Sequence, residues 1–144
     1  MLKVWTDGSC LGNPGNGGWA FVMTDGDRIA ERSGGASDTT NNRMELLAVI
    51  NALSSIKNHD EIELLTDSQY VKNGMESWLA DWKKNGWKTS NKKPVANKDL
   101  WERLDELSSR FRIHWKWTRG HCDDEMNNRC DELARGAAES CGQN

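Results

Sequence analysis

The sequence predicts a single α/β domain on a mixed five-stranded sheet, and three observations predict it. The apolar pattern alternates as in strands near the N-terminus and recurs at helical spacing from Thr40 onward. The segments follow the order β-β-β-α-β-α…α-β-α, an antiparallel meander and then two strands reached by helical crossovers, hence parallel to the first. Finally, 144 residues, 36% hydrophobic and 28% charged, suffice for one buried core, with no linker, internal repeat or low-complexity stretch.

Each element has its own signal. Leu2, Val4 and Thr6 alternate with Lys3, Trp5 and Asp7 in the first strand. Gly8 to Gly18 is glycine-rich around Asn13-Pro14-Gly15 and reads as turn. A second strand is expected at Trp19 to Met23, and Asp25-Gly26 turns it into a third at Arg28 to Arg32. From Thr40 to Lys57, Leu46, Val49, Ile50, Leu53 and Ile56 mark the clearest helix, capped by Thr39 or Thr40. Glu61 to Thr66 is a short buried strand, and Asp67-Ser68 caps a helix through Tyr70 and Val71. A helical stretch with Trp78, Leu79 and Trp82 leads into lysine-rich chain broken by Gly86 and Pro94, a basic arm at about 78–98. Leu100, Leu104 and Leu107 mark another helix, Arg112 to Thr118 a strand, and Met126, Cys130, Leu133, Ala134 and Ala137 a last amphipathic helix, with a tail expected to fray from Glu139.

The alternating start leaves no basic segment and apolar stretch for a signal peptide, so a cytoplasmic location is expected. The longest apolar run, Leu46 to Ile50, is far short of the roughly 20 residues that cross a bilayer. Cys10, Cys122, Cys130 and Cys141 lack disulfide-scaffold density and the paired spacing of a structural zinc site, and read as reduced thiols. Net charge is −3, yet six lysines and no acid lie between Trp82 and Lys98, so a +6 arm sits on a −9 body. No protein partner is inferable, and a monomer is expected.

Asp7 and Asp67 each stand at the C-terminal end of a predicted strand, where open α/β sheets place their ligand sites. Glu45 lies near the start of the long helix, beside its apolar stripe, and Asp131 sits similarly on the last helix, on one face with Asn127 and Arg135. Singly, each acid reads as a cap or a solvated carboxylate; together they suit magnesium, which takes oxygen ligands from a few carboxylates and substrate phosphate. Asp123-Asp124-Glu125 lacks the spaced acids and glycine of a calcium loop. Two ions about 4 Å apart would serve in-line phosphoryl displacement, so phosphodiester hydrolysis is the expected reaction. His121, in the loop before the last helix, is placed to pass a proton near Asp131. Trp78, Trp82 and Trp87 interleave with Lys83, Lys84 and Lys88, aromatic surfaces beside phosphate-neutralising charges. Cys10, Asn13, Asn41, Asn42 and Gln69 adjoin the acids and can hydrogen-bond 2′-hydroxyls and base edges.

Six segments carry a resemblance to bacterial type 1 ribonuclease H, from Lys3 to about Ala138. They are Thr6-Asp7-Gly8-Ser9, Thr40-Asn41-Asn42-Arg43-Met44-Glu45, Thr66-Asp67-Ser68-Gln69-Tyr70-Val71, Trp82-Lys83-Lys84-Asn85-Gly86-Trp87-Lys88, Gly120-His121, and Asn127-Asn128-Arg129-Cys130-Asp131-Glu132-Leu133-Ala134. The resemblance implies a ribonuclease H-like fold and endonucleolytic cleavage of the RNA strand of an RNA–DNA hybrid, leaving 5′-phosphate and 3′-hydroxyl ends. It implies Asp7, Glu45, Asp67 and Asp131 as ligands of magnesium, for which manganese can substitute, with His121 assisting turnover. The Trp78 to Lys88 arm would hold the DNA strand, Thr40 and Asn97 would seat a DNA phosphate, and Asn13, Asn41, Asn42, Gln69 and Asn127 would face the hybrid. The sequence departs where the family usually has glycine two residues after the histidine: Asp123, Asp124 and Glu125 follow here, three acids that could compete for metal or alter how His121 moves. A non-catalytic hybrid-binding module would keep the basic arm but need not keep all four acids and the histidine. A junction resolvase or integrase-like nuclease would share the acids without the tryptophan and lysine arm.

Overall fold

Strand β1 (Leu2–Gly12) is the centre of the sheet, and its alternating side chains sort the molecule into two faces. The structure, a computed structural model, describes residues 1–89, 92–118 and 124–141. β2 (Gly15–Thr24) pairs antiparallel with β1, and β3 (Ile29–Thr39) antiparallel with β2. β4 (Glu61–Thr66) runs parallel on the other side of β1, and β5 (Arg112–Trp117) parallel beside β4. The order β3-β2-β1-β4-β5 is the mixed five-stranded sheet expected from the element order.

Leu2 and Val4 enter the larger core with Phe21, Leu46, Ile50, Ile62 and Leu64. That face is covered by α1 (Asn41–Ser55), which Thr40 caps by accepting the Arg43 N–H at 3.2 Å. Trp5 points the other way, into a smaller cluster with Ala20, Val22, Cys130 and Ala134. The first three belong to the sheet. The last two belong to α5 (Glu125–Ser140), whose buried Cys130, Ala134 and Ala138 are small enough to let it lie close to the strands. The helix persists to Ser140, past the point where the sequence reads as frayed.

The glycine-rich segment is not the long turn that its composition suggests. β1 and β2 continue through it, leaving only Asn13-Pro14, whose peptide bond is cis, at the tip. The glycines answer to packing instead. A Cβ on Gly8 would run into the backbone of Met44 and Glu45, and one on Gly18 into the α5 backbone at Ala134 and Ala138. β3 likewise runs on to Thr39 rather than stopping near Arg32.

After β4 the chain forms α2 (Gln69–Asn73), one π-helical turn (Gly74–Trp78) and α3 (Leu79–Lys84). A turn at Asn85-Gly86 and a Lys88–Pro94 bridge shape the protrusion before α4 (Lys98–Ser108) returns to the core through Leu100, Trp101, Leu104 and Leu107. No helix among the described residues is long and apolar enough to cross a membrane.

Candidate active site

Four acids arrive at one end of the sheet from four elements. β1 pairs with β4 only through Trp5–Leu65, so although Asp7 lies mid-strand relative to β2, it stands just beyond the parallel edge that ends at Thr66. Asp67 leaves β4 one residue later. Because Gly8 admits the start of α1 against β1, Glu45 is carried to the same edge. Asp7 shares a face with Trp5, two residues earlier, and that face is covered by α5, which supplies Asp131.

The electrostatics bind these groups into one cluster. Burial pushes the Asp7 carboxyl up to about 8, the charges of Asp67 and Asp131 add to the rise, and the Gly8 N–H donated at 2.9 Å opposes it. Burial also raises Glu45, helped by Asp67 and opposed by Ser68 and Asn41. Asp67 is raised by burial and by Asp131. Asp131 pairs with Arg135 at 3.0 Å, whereas Asp7, Glu45 and Asp67 have no cationic partner among the described residues. Both Glu45 oxygens are engaged: Asn41 Nδ2 donates to Oε1 at 3.1 Å and the Ser68 hydroxyl to Oε2. Among the described residues no three His, Cys, Asp or Glu side chains converge as a chelating set in this arrangement. The acids act on one another electrostatically, and Glu45 is held by neutral hydrogen-bond donors.

Around the acids, Cys10 donates to the Thr39 carbonyl at 3.4 Å, and Asn13 Oδ1 accepts the Asn41 N–H at 3.2 Å. Asn42 and Gln69 are exposed beside them, while Asn127 is buried in the first turn of α5. Thr40 and Asn97, 57 positions apart in sequence, are joined by a residue the sequence reading did not single out. Arg43 Nη1 donates to Asn97 Oδ1 at 3.1 Å and the guanidinium forks onto Asp99, while its N–H is capped by Thr40. The helical spacing of Thr40 and Arg43 was the available signal. Asn97 takes a left-handed conformation, and its amide donates to the Tyr70 hydroxyl at 3.0 Å.

The protrusion corrects one expectation. Its tryptophans read as aromatic surfaces offered beside lysines, yet Trp82 and Trp87 are partly buried against the larger core, and Leu79 and Val95 are buried outright. Trp82 lies 5.8 Å from Trp78, 6.3 Å from Trp87 and 5.4 Å from Trp101, so these rings root the arm. Trp78, 36% exposed, is the most open, and with Tyr70, Trp82, Thr89, Val95 and Ala96 it lines an apolar trough. Lys84 and Lys88 point to solvent without a carboxylate partner among the described residues, while Lys83 is drawn to Asp105 at 3.4 Å. His121 and its neighbours Gly120, Cys122 and Asp123 lie outside the described residues. Asp124, read as one of three acids free to compete for metal, instead caps α5 and accepts the Trp5 indole N–H.

Comparison with known proteins gives a consistent picture. The model of the RNase H family matches residues 1–139. A ribonuclease H of Pseudoalteromonas atlantica is 55% identical over 95% of this chain and 90% of its own. A ribonuclease HI of Neisseria meningitidis is 53% identical over 96% of each. Among solved structures, a type 1 RNase H with the type 2 active-site motif superposes with a TM-score of 0.82 at 31% identity, over 96% of this chain and 72% of that one. The N-terminal RNase H domain of a Mycobacterium tuberculosis protein gives 0.75 at 28%, over 99% and 98%.

Proposed function

The chain belongs to the RNase H family, and from that premise we propose that it hydrolyses the RNA strand of RNA–DNA hybrids with a divalent metal. The observation that carries this reading is that Asp67 leaves β4 and Asp131 comes from α5 at the edge where Asp7 is buried, so that burial and their two charges together push the Asp7 carboxyl up to about 8. Such a set is costly unless a cation completes it. Its all-oxygen donors fit magnesium, with manganese as a substitute. Asp7, Glu45, Asp67 and Asp131 would hold the metal, as two ions once substrate is bound. When bound, the metal supplies an activated water and neutralises charge on the leaving oxygen, giving 5′-phosphate and 3′-hydroxyl ends.

The residues around the acids select and orient the hybrid. Cys10, Asn13, Asn41, Asn42 and Gln69 offer hydrogen-bonding groups to the RNA strand and its 2′-hydroxyls, and Asn127 supports the same side. Thr40, Arg43 and Asn97 gather a hydroxyl, a guanidinium and an amide suited to a phosphate of the DNA strand. Trp78, Trp82, Lys83, Lys84, Trp87 and Lys88 form the arm against which that strand lies. His121 assists turnover by moving a proton. The protein acts as a monomer in the cytoplasm.

One sequence labelled on its RNA strand and offered as hybrid, double-stranded RNA and single-stranded RNA, beside the matching duplex DNA, tests the proposal with and without magnesium. Metal-dependent cutting of the hybrid alone is expected. Hybrid binding without cutting in either magnesium or manganese would favour the non-catalytic binding module.

A further inference from the structure

We propose that Asp124 is a positioning residue, which together with Trp5 straps the helix bearing Asp131 to the strand bearing Asp7. The proposal rests on the reading of these two acids as metal ligands. Asp124 uses both carboxylate oxygens. Oδ1 accepts the N–H groups of Met126 and Asn127, each at 3.1 Å, and so caps α5. Oδ2 accepts the Trp5 indole N–H at 3.1 Å, from β1, 119 positions away in sequence. The cap alone does not require a carboxylate, since Asn, Ser or Thr would satisfy it equally well. What Asp adds is the second acceptor oxygen, and that oxygen is spent on the strand.

Trp5 is also tied to the same helix further along. Its carbonyl lies 3.6 Å from the Cys130 thiol, which also reaches the Ala20 carbonyl at 3.2 Å. One strand residue, only 7% exposed, thus grips α5 at its cap and at the residue before Asp131. The two grips are about 9 Å apart along a rigid helix, which leaves Asp131 little freedom to roll or slide. Such restraint has work to do here. Asp131 on α5 and Asp7 on β1 can share a metal only at a fixed separation, and the strap joins the two elements that carry them. Removing one end of the strap also strands the other, because a buried indole N–H without an acceptor is costly.

Four variants test this: Trp5→Phe, which keeps the ring and removes the donor; Asp124→Asn, which keeps a cap oxygen and turns an amide toward the indole; their double variant; and Asp124→Ala, which also loses the cap. Hybrid cleavage and melting temperature are measured at graded magnesium, and magnesium affinity is read separately, without hybrid, from NMR shifts of the Asp7 and Asp131 amides. Expected for Trp5→Phe and Asp124→Asn is a loss of about tenfold in kcat and in magnesium affinity with KM for the hybrid unchanged, the double variant being no worse than either single one. Asp124→Ala should add a lower melting temperature. Wild-type kcat and metal affinity in Asp124→Asn, losses that multiply in the double variant, or a change confined to melting temperature would each overturn the proposal. A wild-type protein that neither cuts hybrid nor shifts those amides with magnesium would instead overturn the parent reading, and the strap with it.

Discussion

Asp7 keeps its proton in the folded protein up to about 8, because burial and the neighbouring Asp67 and Asp131 disfavour its charge. In the unfolded chain the same carboxyl deprotonates near pH 4. Between those values the native state holds the extra proton, so metal-free stability contributed by this group is full below about pH 4 and is lost as pH rises through about 8. Glu45 and Asp67, also raised, act in the same direction. Asp7→Asn should therefore gain about 2 kcal/mol at pH 8 without metal, ~4–8 °C for a domain of this size, and nothing at pH 4. Thermal melts of both proteins at the two pH values check this, and equal melting at pH 8 would contradict it. The same variant should bind hybrid and fail to cut it. At this scale the placement of Asp67, Glu45 and Asp131 was legible, because each follows a strand end or flanks an apolar stripe, whereas Asp7, read at a strand end, lies mid-strand because β1 runs on to Gly12 beside β2. Their partners were not. Ser68 reads as a helix cap and is one, accepting the Val71 N–H, but its hydroxyl also donates to Glu45. Asp124 reads as loop acidity and is a strap, since a contact to Trp5 has no local signature.

Secondary structure was legible wherever apolar residues recur at a regular spacing between turn signals. α1, β4, α4, β5 and α5 fall within a few residues of their expected bounds, because the spacing of apolar residues reports which side meets the core. The hairpin arms of β1 and β2 were not, since glycine usually signals a turn, whereas Gly8 and Gly18 mark where α1 and α5 come too close for any side chain. Gly8→Ala thus forces backbone against backbone and should cost about 1–3 kcal/mol in urea denaturation. Because the displaced backbone is that of Met44 and Glu45, cleavage measured well below the unfolding midpoint should fall too. Unaltered stability would show that α1 can yield at no cost. The protrusion escaped a purely polar reading for a related reason. Its apolar residues are spaced by turns, and their partner Trp101 comes from a helix beyond it.

The whole molecule carries its charge unevenly, and the structure refines what the sequence count implied. Lys83 is partly neutralised by Asp105, which leaves Lys84 and Lys88 as the freer cations of the root of the arm. Replacing Lys83, Lys84 and Lys88 with Ala should raise KM for hybrid and lower the slope of log affinity against log salt by about 2, closer to two phosphates than three. Binding measured from 50 to 200 mM salt decides it, and an unchanged slope would remove the arm from the substrate path. The two layers on the sheet are equally uneven. α1 and α4 share a large core, whereas among the described residues α5 rests on a cluster of five buried residues, two of which are its own. If layers separate in order of what they bury, α5 lifts first. Cys130 then becomes a stopwatch. Its thiol is fully covered, raised by burial and bonded to strand carbonyls, so an alkylating reagent reaches it only during an opening of that helix. Its labelling should lag far behind that of the partly exposed Cys10 and Cys141, and the lag clocks how often the layer carrying Asp131 parts from the rest of the protein.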